Sequence, residues 1–109
     1  MRSPISEYAE KVLTAWVAPG QRWLPAPGEM WVFVIGGRVQ AVDFLCPCGC
    51  GSECYTPVAE GPAPGNRVWG FGRGPNGVTL SPSIRYTGGC KAHFNITDGK
   101  AVMHGDSGR

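Results

Sequence analysis

Three cysteines separated by single residues, in Cys46-Pro47-Cys48-Gly49-Cys50-Gly51, constrain this chain more than any other feature. A fourth, Cys90, opens Cys90-x-x-His93 far downstream. A tetrahedral zinc site takes four soft or borderline ligands, usually from two local groups. The spacing therefore predicts a metal clip joining two distant segments. Closing so long a loop should stabilise a small fold appreciably. The candidate ligands are Cys46, Cys48, Cys50, Cys90 and His93, with Cys46, Cys48, Cys90 and His93 the first choice. Three sulfurs at two-residue spacing are expected to strain if all reach one ion, so Cys50 stands as a substitute for Cys48. The imidazole points to zinc, with iron as the second choice. Buried free thiols or a redox disulfide are the alternatives. Cys54 and His104 are further, weaker candidates.

A clip suits the rest of the composition. Glycine and proline number 17 and 10 in 109 residues, a level that borders on disorder. Four Trp, 42% hydrophobic and only 17% charged residues argue for a folded, loop-rich domain with a modest core. Five cysteines, an odd number, do not pair completely as disulfides. No apolar run approaches a bilayer span, and residues 1–10 lack the pattern of an export signal, so a cytoplasmic protein without membrane contact is expected. The net charge of +2 does not by itself point to a polyanion.

The expected fold is mainly β (α+β): one domain over 1–109, with a helix at 4–18, a metal-binding β-rich core at 30–104 and a frayed tail at 105–109. The helix follows from Ile5, Tyr8, Ala9, Val12, Leu13, Trp16 and Val17, an apolar stripe at helical spacing. Ser3 would cap it, Pro4 begin it and Pro19-Gly20 end it. Its expected task is to cover a sheet. Met30–Ile35 and Arg38–Leu45 read as strands around a Gly36-Gly37 hairpin turn, and 93–97 and 100–104 as strands around Asp98-Gly99. Shorter strands are expected at 54–58, 67–71 and 78–80. Ser81-Pro82-Ser83-Ile84 should mark an edge or a bend.

The motifs Phe44-Leu45-Cys46-Pro47-Cys48-Gly49-Cys50-Gly51, Leu80-Ser81-Pro82-Ser83-Ile84 and Gly89-Cys90-Lys91-Ala92-His93-Phe94-x-Ile96-x-Asp98-Gly99-Lys100 resemble an uncharacterised family of small phage, prophage and bacterial proteins. The resemblance covers residues 44–102. It implies a metal site in Cys46, Cys48, Cys50, Cys90 and His93 and no established activity; Cys54 is an addition to the pattern. Members often carry the label "ammonia monooxygenase". A chain with no membrane span and a single Cys/His site gives that chemistry no support.

Three functional classes are open. The first is an interaction module with structural zinc and a protein partner, as in a phage accessory protein, since Ala59–Asn66 and Arg73–Gly77 are long loops for so small a domain. The second is a single-stranded nucleic-acid binder using Arg67, Trp69, Phe71, Arg73 and Arg85. The third is a zinc hydrolase with Asp43 or Glu53 as base. The H-x-E, H-E-x-x-H, G-x-S-x-G and P-loop patterns are all absent, so no catalytic residue is assigned. The interaction module is the favoured expectation.

Overall fold

A computed structural model describes residues 4–16, 24–65, 67–86 and 89–108. Among them there is no helix. Eight strands follow in order: β1 (Ala9–Leu13), β2 (Glu29–Ile35), β3 (Arg38–Leu45), β4 (Glu53–Glu60), β5 (Trp69–Gly74), β6 (Gly77–Arg85), β7 (His93–Thr97) and β8 (Lys100–Met103). Each pairs with its sequence neighbour in one curled sheet. The β1–β2 and β4–β5 pairings are parallel and the rest antiparallel.

The expected helix is a strand. Ala9–Leu13 lies beside Glu29–Phe33, and the residues before it turn to the other end of the sheet. The Tyr8 N–H donates to the Gly99 carbonyl and the Ala101 N–H to the Ser6 carbonyl, at 2.8 and 2.9 Å. The sheet thus curls until its first segment meets its last hairpin. A sheet closing on itself buries its own inner face and needs no helical layer. The apolar stripe divides accordingly. Tyr8 is buried, while Val12 and Trp16 are half exposed. The proposed cap Ser3, Val17 and the Pro19-Gly20 stop lie outside the described residues.

The strands around Gly36-Gly37 and Asp98-Gly99 form as expected, since both turns supply the positive φ a tight hairpin needs. Inward-facing Met30, Val32, Val42, Phe44, Leu80, Phe94 and Ile96 build the core. Trp31, Phe33 and Ala41 form a smaller cluster on the other face of β2 and β3. At the closing end the β5–β6 turn rests on the β7–β8 turn. A Cβ on Gly77 would lie 2.7 Å from the Gly99 Cα, so this contact requires glycine. The Ser-Pro-Ser segment bends as its proline suggested. It lies within β6, where the register with β7 shifts between Leu80 and Ile84, and the Ser81–Pro82 bond is cis.

Candidate functional site

Two groups of chemistry-bearing side chains share one end of the molecule. The first is the sulfur cluster. Cys46 follows β3 directly, and its N–H donates to the Ser52 carbonyl at 2.8 Å, closing the loop that carries Cys48 and Cys50. Gly49 and Gly51 take φ of +88° and +84°, which reverses the chain after each of those cysteines. Cys90 comes from the turn before β7. The thiols of Cys46, Cys48, Cys50 and Cys90 all lie within 4.8 Å of one another.

Tetrahedral zinc with Zn–S bonds of 2.3 Å sets its sulfurs about 3.8 Å apart. The Cys46 Sγ is 3.4 Å from that of Cys48 and 3.7 Å from that of Cys90. The donor set therefore fits one soft divalent ion. Three alternating sulfurs do converge, against the expectation from their spacing, with Pro47 and Gly49 between them. Burial pushes the Cys48 and Cys90 thiols up. In Cys46 the Cys54 hydrogen bond acts first and burial second, in the same direction. Burial opposes ionisation of Cys50 too, but hydrogen bonds from Ser52 outweigh it, and its thiol is lowered to about 6. Cys54 is fully buried in the core outside this group.

The second group is built around His93. The pairing of Arg85 with His93 places the imidazole at the mouth of the β6 irregularity. Its Nε2 is 3.0 Å from the Ser83 Oγ and its Nδ1 is 2.7 Å from the Asp106 Oδ1. Arg85 ion-pairs with Asp106 and also lies 3.0 Å from Nδ1. Nδ1 cannot both donate to Asp106 and accept from Arg85. The shorter contact, to a carboxylate, fixes the proton on Nδ1. Nε2 is then free to accept the Ser83 hydroxyl proton. His104 stacks on His93 at 3.9 Å between ring centroids, and is itself bound to Asn95. Burial lowers the His93 pKa, and His104 and Arg85 add in the same direction. All three act in favour of the neutral ring, the form a proton acceptor must take.

Residues 105–108, expected to fray, are tied back. The Gly108 N–H donates to the Lys91 carbonyl at 2.8 Å, and the His93 N–H to the Ser107 Oγ at 3.0 Å. Asp106 is positioned by these bonds. Sequence reading missed Ser83 and Asp106. Ser83 was legible only as part of a bend, and Asp106 sits in a Gly-rich tail with no periodic signal.

The other candidates scatter. Asp43 and Glu53 pair with residues of adjacent strands rather than with the thiols. Asp43 is buried opposite Trp31 and Tyr55, and its Oδ1 has no hydrogen-bond partner among the described residues. Burial, then Glu53, pushes it up to about 8. Phe71 is buried, Arg73 lies over its ring and ion-pairs with Glu10, and Trp69 is half-buried beside Ser83. Arg67 is exposed.

A family model described as "Bacterial ubiquitination-like system serine protease (BubE)" matches residues 17–104. No curated protein and no solved structure matches the chain.

Proposed function

The chain belongs to the BubE family, whose model spans most of its length, and from that membership and the Ser83–His93–Asp106 array we propose that it is a serine protease acting on a protein of a bacterial ubiquitination-like system. The observation that carries this reading is the unbroken hydrogen-bond chain from a serine hydroxyl through Nε2 and Nδ1 to a carboxylate. That is the geometry by which serine hydrolases are recognised, whatever the order of the residues in sequence.

Ser83 Oγ attacks the scissile carbonyl carbon while its proton passes to His93 Nε2. The C–N bond breaks as His93 returns that proton to the departing amine. Water, deprotonated by the same imidazole, then releases the acyl group from Ser83. Asp106 holds the ring in the required tautomer and stabilises its charged form.

The metal in this reading is zinc, held by Cys46, Cys48, Cys50 and Cys90. Four thiolates close the coordination sphere, so the ion would brace the fold and not bind water. Cys90 stands three residues before His93, and the clip therefore fixes the approach to the base.

Hydrolysis of p-nitrophenyl acetate by the native protein and by Ser83→Ala tests the reading. Turnover should fall by at least about a thousandfold in Ser83→Ala. Activity that persisted in Ser83→Ala but vanished reversibly on metal removal would favour a metallohydrolase instead.

A further inference from the structure

We infer that His104 is a positioning residue for the base: its imidazole is the flat wall that holds the plane of the His93 ring between Ser83 and Asp106. This rests on the reading of Ser83 as nucleophile and His93 as its base. Strand register puts the two rings together. Phe94 pairs with Met103, and the His104 N–H donates to the His93 carbonyl at 2.8 Å, so the ladder runs one pair beyond β8. Residues directly opposite in an antiparallel pair send their side chains to one face. The two rings lie 3.9 Å apart between centroids and 9° from parallel.

That contact supplies a constraint which the hydrogen bonds of His93 leave open. The Ser83 Oγ at Nε2 and the Asp106 Oδ1 at Nδ1 both meet the ring at its edge. Two edge contacts fix where the nitrogens sit, but the ring can still tilt about the line that joins them. A second ring stacked on its face blocks that tilt. His104 is itself anchored. Its Nε2 donates to the Oδ1 of Asn95, which shares a face of β7 with His93 two residues away. Its carbonyl accepts the Ser107 N–H at 3.0 Å and opens the turn that carries Asp106. One residue thus braces the base and begins the segment that brings its carboxylate. Among the described residues, the charged and titratable groups facing His93 are Arg85 from β6, Asp106 from the tail and His104 from the end of β8. Burial, then His104 and Arg85, oppose a charge on the ring, whereas a carboxylate such as Asp106 favours one.

Labelling by an ethyl fluorophosphonate across a pH series, read by intact-protein mass, tests this. Ser83 Oγ bonds to phosphorus, fluoride leaves, and the hydroxyl proton passes to His93. His104→Ala should slow labelling at least about tenfold on the alkaline plateau, where His93 is neutral with or without its neighbour, as expected for a misaligned base. His104→Phe, which restores a flat ring without a charge, should recover most of that loss, and its acid limb should move up toward the ordinary 6.5. His104→Leu fills the space without a flat face and replaces His104→Ala if that variant fails to fold. A native plateau rate in the variant without a ring, or equal losses in it and in His104→Phe, would overturn the proposal. If native Ser83 takes no label, the serine-nucleophile reading fails instead. An NMR titration of His93 then still tests the pair, and a midpoint unmoved by His104→Phe would overturn it.

Discussion

His93 carries the account at the scale of single residues. Its place three residues after Cys90 reads in sequence as the second half of a metal-ligand pair. The fold gives both of its ring nitrogens other partners, because β7 starts at His93 and pairs it with Arg85, beside Ser83. Spacing placed all four cysteines among the candidates but set Cys50 only as a substitute for Cys48, whereas the fold brings all four thiols together. The contacts of His93 were not legible, because they depend on strand register. Its lowered pKa sets a pH dependence. Ester hydrolysis should rise as the ring loses its proton, with the midpoint of the acid limb below the ordinary 6.5. A pH–rate profile checks this. Asp106→Asn should lower kcat by roughly a hundredfold to ten-thousandfold, since an amide favours the wrong tautomer.

Asp43 makes the opposite kind of residue-scale prediction. Its pKa is raised above the unfolded value of 3.8 to about 8. Between those values the unfolded chain sheds a proton that the folded chain retains, so stability falls as pH rises from about 4 to 8. Asp43→Asn removes that slope. The variant should gain Tm relative to the native protein at pH 8 and show little gain at pH 4.

At the scale of elements, local turn chemistry was readable and long-range pairing was not. Gly36-Gly37 and Asp98-Gly99 announce their hairpins because the turn needs those residues whatever surrounds it. The segment 4–18 has helical periodicity, yet within it Ala9–Leu13 pairs with β2 and Ser6, Glu7 and Tyr8 are tied to the β7–β8 hairpin. Such pairing overrides local pattern. Close backbone approach is a second feature that a sequence conceals. Gly70→Ala would drive a methyl group against backbone atoms of Gly61 and Ala63. The expected loss is about 1–3 kcal/mol by overpacking, measurable by chemical denaturation.

Across the whole molecule, one clip and one closure bring the site together. The sulfur cluster ties the end of β3 to the start of β7, and the tail folds back onto the segment between Cys90 and His93. His93 and Asp106 are both positioned by this arrangement. Cys48→Ser should therefore lose bound metal, lower Tm by roughly 10 °C or more, and slow ester hydrolysis although no cysteine touches the reacting atoms. Elemental analysis, a melting curve and a rate assay read the three effects. The hairpins β2–β3 and β7–β8, and a cysteine cluster joining the end of β3 to the turn before β7, were foreseeable from residue spacing. The closure was not, because it joins residues near opposite ends of the chain through backbone groups that every residue possesses.

The central claim is that Ser83 is a nucleophile activated by His93. Exposure of the native protein, Ser83→Ala and His93→Ala to a fluorophosphonate, followed by mapping of the modified peptide, tests it most directly. The account predicts one adduct per native chain, on Ser83, none on Ser83→Ala, and labelling slowed at least about a hundredfold in His93→Ala. An unmodified native chain, or an adduct that persists in Ser83→Ala, would contradict it.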